Sequence, residues 1–313
     1  MKKESLKTKF QGIQLIRNWF LKEKFMDVMT PSIVQCPGIE PHLQPFEVIG
    51  KNHRGYLQTS PEFHMKELLS YGLNNIFTLT YSFRDEPNSE THRPQFIMLE
   101  WYRANAHYEK IKNDSKNLID YLIQELEEAD KKFKTTWEEW TIKEAFLKFT
   151  HIDLDKNLSL PNFYSEVSQK FSHLPLPELD EITWDDLFFI VFLNVIEPQL
   201  KEFPKVILTE YPASQAALAT LKPNDPTVCE RFEIYLDGIE IGNCFNELTD
   251  LSEQQKRYQA AKSESKALYG KNIPEPTVLF DALSRGLPKS AGIAVGVERL
   301  LSTIVGNHKI FID

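Results

Sequence analysis

The sequence has few cysteines and no long apolar run, and both absences limit what the protein can be. Neither its 3 cysteines nor its 8 histidines show the spacing of a zinc site or a disulfide framework. The first residues form no apolar signal core, and no stretch approaches the length of a membrane span. We therefore expect a protein of the reducing cytoplasm that does not associate with membranes.

Basic residues are also in the minority. The 36 lysines and arginines stand against 45 aspartates and glutamates, which gives a net charge of −9 at pH 7. An acidic chain does not favour nonspecific nucleic-acid binding, although a local basic patch can still bind tRNA. The chain has no internal repeat, and 42% of its 313 residues are hydrophobic, which is ample for a globular core.

The segment from Ser82 to Tyr102 arranges cationic, aromatic and anionic side chains along one hairpin. Runs rich in β-branched and aromatic residues, Ile76 to Phe83 and Phe96 to Arg103, predict two strands joined by a polar loop with two prolines. Alternation along the second strand places four side chains on one face, those of Phe96, Met98, Glu100 and Tyr102. Burying an unpaired carboxylate is expensive, so we expect a cation to meet Glu100. A solvated loop between two core strands is the alternative.

A second segment, from Glu230 to Asp250, contains the two-residue turn signal Asp237-Gly238 between strand-like runs. Counting outward from the turn places Glu233 and Glu240 on one face as diagonal neighbours. Two carboxylates this close need a cation, and hard oxygen ligands favour Mg²⁺. A surface pair of glutamates is the alternative.

Three further patterns predict local structure. Gly286 to Leu301 is a glycine-punctuated strand that leads into an apolar helix, whose start suits an anionic group. Gln11 to Lys24 has apolar residues at helical spacing ahead of a short strand that ends at Pro31. Ser60-Pro61-Glu62 has the residues of a helix start, with Ser60 as the N-cap and Pro61 at N1. The stretch from about 109 to 203 is predicted to be mostly helical.

In this order the segments resemble class II aminoacyl-tRNA synthetases of the lysyl branch. The hairpin resembles motif 2, the glycine-rich strand and helix resemble motif 3, and the helix from Gln11 resembles motif 1, the dimer-interface element. The resemblance implies an α+β fold in which helices flank an antiparallel β-sheet, as a single catalytic domain over residues 1–313 with a helical insertion. It also implies ATP and Mg²⁺ as cofactors and a homodimer.

The resemblance implies a role for each matching residue. Arg84 would hold the α-phosphate and the amino-acid carboxylate, and Arg299 would reach the γ-phosphate, so that both are catalytic. Glu86 would accept from the adenine amino group, Phe96 would stack on the base and His92 would approach the terminal phosphates. The other residues implied to contact ATP are Asp85, Arg93, Glu240, Ile241 and Gly296. Glu233 and Glu240 would bind Mg²⁺.

For the amino acid, Glu100, Tyr102 and Glu247 would receive the ε-ammonium group. Asn243 would contact the carboxylate, and Glu62 would lie near the other amino group, although simple helix capping is an equal alternative. Ser60 and Pro61 are the other residues implied to contact the amino acid. Ala294 stands where lysyl-tRNA synthetases usually have glycine, and its methyl group would favour β-lysine over α-lysine unless Ala294 only packs in the core.

Some positions depart from the family pattern. Asp85 and Arg93 stand where asparagine is usual, and Gln95 replaces glutamate. Cys244 replaces glycine, and Glu298 replaces aspartate.

Because the predicted helix begins by about Gln11, we expect no anticodon-binding barrel ahead of it. With Leu99-Glu-Trp-Tyr-Arg103, the chain resembles the lysyl-tRNA synthetase paralogues that transfer a lysyl or β-lysyl group to a lysine of elongation factor P. The implied substrates are lysine or β-lysine and that protein, without stable tRNA binding. The alternatives are a free-standing enzyme that acylates a tRNA or another small acceptor, and a catalytically dead regulator that binds lysine or ATP. Arg84, Glu233, Glu240 and Arg299 argue against the regulator, because it would not need phosphate-binding residues.

Overall fold

The computed structural model describes residues 2–89 and 91–306. The chain divides into two compact units. The first unit comprises Met1–Lys131, Ala217–Ala219 and Gly242–Asp313, and the second comprises Lys132–Ala216 and Thr220–Ile241. Among the described helices, none is both long enough and apolar enough to cross a membrane.

The first unit begins with three helices and six strands, and ends with three more helices and a strand. Its elements up to residue 131 are α1 (Lys2–Lys22), β1 (Met26–Asp27), β2 (Ile33–Val34), β3 (Glu47–Ile49), β4 (Arg54–Leu57), α2 (Glu62–Ser70), β5 (Asn75–Phe83), β6 (Gln95–Ala104) and α3 (Tyr108–Glu125). The second unit contains β7 (Glu138–Thr141), α4 (Ile142–Thr150), α5 (Leu160–Lys170), α6 (Trp184–Val191), β8 (Lys205–Thr209), β9 (Leu221–Lys222), β10 (Asp225–Cys229), β11 (Arg231–Leu236) and the start of β12 (Ile239–Asn246). After β12 the first unit continues with α7 (Leu251–Tyr269), α8 (Thr277–Arg285), β13 (Ser290–Gly296) and α9 (Val297–Ile304).

The main sheet of the first unit is mostly antiparallel. Its strand order is β1-β5-β6-β13-β12, and only the short β1 runs parallel to its neighbour. A smaller antiparallel sheet has the order β2-β4-β3. Helices flank the main sheet, which confirms the α+β class predicted from the sequence.

The two faces of this sheet differ in chemistry. On one face Phe20 of α1 stacks on Phe77 with ring centroids 4.6 Å apart, and lies 5.2 Å from the ring of Trp101. Phe77 and Trp101 are register partners, so alternation directs Glu100 and Tyr102 to the opposite face. There, Tyr102 packs with apolar side chains of α2 and α8, among them Met65 and Leu279. One face is therefore apolar core, and the other is partly polar.

The second unit combines short strands with an aromatic helical core. β8 pairs antiparallel with β11 and parallel with β7. Phe146 of α4 and Phe188 of α6 stack with centroids 4.9 Å apart, and Trp184 stacks on Phe188 at 5.6 Å. Asp237 and Gly238 both have positive φ, 53° and 73°, as the turn signal predicted.

Most predicted elements agree with the structure to within a few residues, but several differ. α1 begins at Lys2, well before Gln11, and the short strand after it, β1, ends at Asp27 and not at Pro31. The stretch from 109 to 203 is mostly helical, but β7 interrupts it and α3 belongs to the first unit. α2 begins at Glu62 with Pro61 as the N-cap, one residue later than predicted. The hydroxyl of Ser60 still accepts from the amide of Glu62 at 3.1 Å, so Ser60 keeps a capping function.

Candidate active site

The polar face of the main sheet brings together residues from three strands. Glu100 of β6 is the register partner of Ala294 of β13, and Ala294 is in turn the partner of Asn243 of β12. Directly opposed residues on neighbouring strands share a face and lie about 4.5–5.5 Å apart at Cβ. Ala294 is partly exposed, whereas its neighbours Ile293 and Val295 are buried. Three of the residues predicted to contact the amino acid, Glu100, Asn243 and Ala294, therefore lie side by side.

Tyr102 of β6 lies opposite Gly292 of the neighbouring strand β13. A Cβ atom on its register partner Gly292 would be 2.1 Å from the Tyr102 ring, so no larger residue fits there. The hydroxyl of Tyr102 donates to Glu100 Oε2 at 3.1 Å. Burial, together with the charge of Glu100, raises the pKa of Tyr102 and keeps the hydroxyl protonated as a donor.

Glu100 is completely buried and receives two hydroxyl groups. Ser60 donates to its Oε1 and Tyr102 to its Oε2. Burial, and then the negative charge of Glu62, raise its pKa to about 8. We expected a cation to meet Glu100, and the two hydrogen bonds come from hydroxyl groups, which do not neutralise the carboxylate. The surroundings of the Glu100 carboxylate therefore favour a positively charged ligand.

Lys66, which the sequence analysis did not identify, lies between two predicted substrate residues. Its Nζ is 2.6 Å from Glu62 Oε1 and 2.6 Å from Glu247 Oε2, and its side chain is 1% exposed. Burial opposes the charge of Lys66, but the two carboxylates outweigh burial and raise its pKa. Burial also raises the pKa of Glu247, although Lys66 opposes that shift. The i,i+4 spacing of Glu62 and Lys66 was the signal available in the sequence.

Arg84 carries a buried nitrogen that has no hydrogen-bond partner in the described part of the chain, its Nε. The guanidinium carbon lies 5.5 Å from the centroid of the Phe96 ring. Glu40, a partly buried residue that the sequence analysis also missed, has a pKa raised by burial and by Glu62 but lowered by Arg84. A buried guanidinium donor without a partner fits an anionic ligand.

His92 links the motif 2 loop to Arg299. Arg299 Nη2 lies 3.2 Å from His92 Nε2, and His92 Nδ1 lies 3.0 Å from the hydroxyl of Ser89. Burial, and then the charge of Arg299, lower the pKa of His92. A neutral His92 that accepts at Nε2 carries its proton on Nδ1, so Arg299 is held in place by an uncharged ring.

Four other predicted ATP residues lie on the same loop or at the start of α9. Asp85 is fixed through its backbone amide, which donates to Gln44 O at 2.8 Å, and Glu86 lies close enough to His92 to affect its pKa. Arg93 donates to the backbone oxygens of Ser89 and His92, so it stabilises the loop itself. Gly296 is the N-cap residue of α9.

Two departures from the family pattern have structural explanations. Glu298 accepts from Lys9 Nζ at 2.7 Å and from the amide of Ile97 at 2.8 Å, so the longer carboxylate reaches α1 and β6 together. Cys244 is the register partner of Ile293, which is paired with Trp101. Its side chain therefore lies on the apolar face, away from Asn243.

In the second unit, Glu233 accepts three hydrogen bonds. The hydroxyls of Tyr211 and Tyr235 donate to its Oε2 at 2.6 Å each, and Arg231 Nη2 donates to its Oε1 at 2.5 Å. Glu240 is near enough to raise the pKa of Tyr235, after burial and Glu233, and Ile241 is buried. The sequence predicted Mg²⁺ beside Glu233 and Glu240, whereas the cationic group that contacts Glu233 in the structure is the guanidinium of Arg231. Among the described residues no group of three or more acidic, histidine or cysteine side chains could hold a metal, so Mg²⁺ binding by Glu233 and Glu240 stays a prediction.

Comparison with known proteins gives a consistent result. Residues 1–311 match the family model of the class II tRNA synthetases (D, K and N). The chain is 36% identical over 292 residues to a protein of Erwinia tasmaniensis named elongation factor P--(R)-beta-lysine ligase, covering 91% of this chain and 86% of that protein. Proteins with the same name from Salmonella typhi and Edwardsiella ictaluri are each 34% identical over 304 residues, covering 94% and 95% of this chain and 89% and 90% of theirs.

Proposed function

Because the chain belongs to the class II tRNA synthetases (D, K and N), we propose that it is an ATP-dependent ligase that activates (R)-β-lysine, or lysine, and transfers it to the ε-amino group of a lysine on elongation factor P. Family membership supports ATP-dependent activation. The names of the relatives support the amino acid and the protein acceptor. A homodimer belongs to the same proposal.

The observation that carries the proposal is the group of carboxylates on the polar face. Glu62 and Glu247 both pair with the buried ammonium group of Lys66, and the charges of Glu62 and Lys66 both act on the third carboxylate, Glu100. Such a surplus of buried negative charge is costly unless a cation enters. A lysine isomer carries a net charge of +1, because its two ammonium groups exceed its one carboxylate, whereas a neutral amino acid carries no net charge.

The basic residues of the same unit suit the other substrate. Arg84 offers a buried, unpartnered Nε to an anion, and a planar guanidinium can contact a phosphoryl group and a carboxylate together. We assign Arg84 to the α-phosphate and the amino-acid carboxylate, and Arg299, oriented by neutral His92, to the terminal phosphate. Phe96 would stack on the adenine, and Glu86 would accept from its amino group.

We also propose that the protein uses Mg²⁺, because class II tRNA synthetases typically do. Its donor set would be Glu240 together with Glu233, whose Oε2 already accepts two tyrosine hydroxyls and whose Oε1 accepts from Arg231. Glu233 thus retains acceptor capacity only at Oε1, so it would contribute one bond at most. The ion would offset charge on the phosphates of ATP.

The chemistry has two steps. A carboxylate oxygen of the amino acid attacks the α-phosphorus of ATP, and the bond to the leaving pyrophosphate breaks. The ε-amine of the acceptor lysine then attacks the carbonyl carbon of the adenylate and loses a proton, and AMP leaves with the bonding electrons. The product is an amide. Charge that develops on the phosphoryl oxygens in the first step is stabilised by Arg84.

The test is to offer the purified protein ATP and labelled lysine or β-lysine, with elongation factor P and lysine tRNA as separate acceptors. We expect amino-acid-dependent ATP–pyrophosphate exchange, and label on the protein acceptor alone. Label on the tRNA would instead support a free-standing synthetase. Binding of lysine or ATP without exchange would support a regulator.

A further inference from the structure

The ammonium group of Lys66 joins carboxylates that come from different parts of the chain. Glu62 lies one turn before Lys66 on α2, whereas Glu247 follows β12. The side chains of Lys66 and Glu247 are each 1% exposed, and that of Glu62 is 13% exposed. The ion pairs are therefore shielded from water and weakly screened by salt.

Charge balance shows what Lys66 does to the pocket. With Glu62, Glu100 and Glu247 ionised and Lys66 charged, the group carries a net charge of −2. Two ammonium groups on a substrate neutralise that surplus. Without Lys66 a third negative charge would remain, and Glu247 would take up a proton because it is buried. A protonated Glu247 no longer attracts an ammonium group.

We propose that Lys66 is a positioning residue of the amino-acid pocket, which holds Glu62 and Glu247 in place and keeps Glu247 ionised, and so matches the pocket to a substrate with two ammonium groups. This inference deepens the proposed function and rests on it. Lys66 itself occupies neither ammonium site in the proposal, because its side chain extends from α2 and its Nζ already contacts both carboxylates. It acts on the substrate through them.

A purely structural role accounts poorly for the arrangement. Replacing a buried ion pair with apolar groups is often neutral or stabilising, so a buried triad is a weak source of stability. The carboxylates whose charge acts on Lys66 are Glu62 on its own helix and Glu247 after β12, and the charge of Lys66 in turn opposes the raised pKa of Glu100 on β6. All three carboxylates are predicted substrate residues.

The experiment compares Lys66→Met with the wild type and with Lys112→Met as a matched control. Lys112 lies on α3 of the same unit and pairs with Glu109, which is largely exposed. We expect the Lys66→Met protein to show a KM for lysine, or for β-lysine, that is about 10–100-fold higher, with the KM for ATP unchanged, since a charge-assisted contact is lost. Its lysine affinity should also recover only at a higher pH than the wild type requires, because Glu247 must lose its added proton. The control should keep wild-type values.

Lys66→Ala provides an independent test. Compared with lysine, this variant lacks three side-chain carbons and the ammonium group. Propylammonium can supply all of them, whereas 1-propanol has a similar size but no charge. We expect propylammonium to restore lysine affinity and 1-propanol to have no effect. Folded variants with an unchanged KM for lysine, or equal rescue by the alcohol, would overturn the role of Lys66. If the wild type lacks exchange with either amino acid, the proposed function fails, and calorimetric titration with lysine still tests the pocket.

Discussion

At the residue scale, the buried carboxylates decide how the site responds to pH. Burial and Glu62 raise the pKa of Glu100 to about 8, and burial raises that of Glu247. Glu100 is therefore largely protonated at pH 7 in the free protein, whereas Lys66 opposes protonation of Glu247. An incoming ammonium group favours the ionised form of Glu100, so binding expels a proton.

We therefore expect lysine affinity to increase as pH rises from about 6 to 8 and to level off above that range, with proton release on binding. Lysine affinity increases with pH, and does not decrease, because carboxyl groups with raised pKa values must deprotonate before they attract a cation. Calorimetry in two buffers with different ionisation enthalpies counts the protons. The Glu100→Gln variant, which cannot titrate, should release fewer of them. A flat pH profile with no proton release would contradict the assignment of these carboxylates.

A second prediction concerns Arg84 and Arg299, the two arginines assigned to the phosphates of ATP. Arg84→Ala and Arg299→Ala should each reduce amino-acid-dependent ATP–pyrophosphate exchange by about 10²–10³-fold or more, because each removes a donor aimed at developing phosphoryl charge. Arg285→Ala is the matched control, since Arg285 is exposed on α8 and contacts Ser70 and the Tyr71 ring. Normal exchange in either active-site variant would refute the motif assignments.

Ala294 tests the choice between lysine isomers. Its partial exposure beside Glu100 and Asn243 argues for a pocket position over core packing. Its methyl group should crowd an α-amino group and leave room for an amine one carbon further along. One methyl group is worth roughly 10–200-fold in discrimination. We expect Ala294→Gly to gain kcat/KM for α-lysine relative to β-lysine, and an unchanged isomer ratio would mean that Ala294 is structural.

At the element scale, the sequence predicted the motif 2 hairpin well because period-two alternation and the flanking prolines are local signals. The strands β5 and β6 lie within one residue of their predicted bounds. Sequence patterns did not identify Lys66, and the reason is physical. A Glu-to-Lys pair at i,i+4 is usually a solvated helix pair, and only the fold shows that this one is buried and completed by a distant carboxylate. Glu298 similarly depends on Lys9, 289 residues away.

The pair of Lys9 and Glu298 joins three elements, since Glu298 also accepts from Ile97 of β6. Removing one partner of a buried pair leaves an uncompensated charge and typically costs about 3–5 kcal/mol. We expect Lys9→Met and Glu298→Gln each to lower the free energy of unfolding on that scale, and the double variant to lose less than the sum. Urea denaturation measures all three. Additive losses would show that the two residues are not coupled.

At the scale of the whole molecule, the fold class followed from the order of the motifs, whereas the division into two units did not. The second unit is assembled from two separate pieces of chain, Lys132–Ala216 and Thr220–Ile241. Its strands β7 and β8 pair in parallel across a helical stretch, which is a non-local contact. Such contacts leave no local sequence pattern.

The last prediction concerns assembly. Residues 26–49 of the first unit expose four large apolar side chains: Met26 at 53%, Met29 at 94%, Ile33 at 55% and Ile49 at 71%. Exposed apolar side chains that recur in one region mark interaction surfaces, and this stretch follows the helix that resembles the dimer element of class II synthetases. We expect a homodimer in light scattering coupled to size exclusion. The double substitution Met29→Lys with Ile49→Lys should produce monomers, because it would place two charges in an apolar interface. Leu268→Lys, at a 55% exposed position on α7, should leave the dimer intact. A wild-type monomer, or a dimer that survives the double substitution, would show that this surface does not hold two copies together.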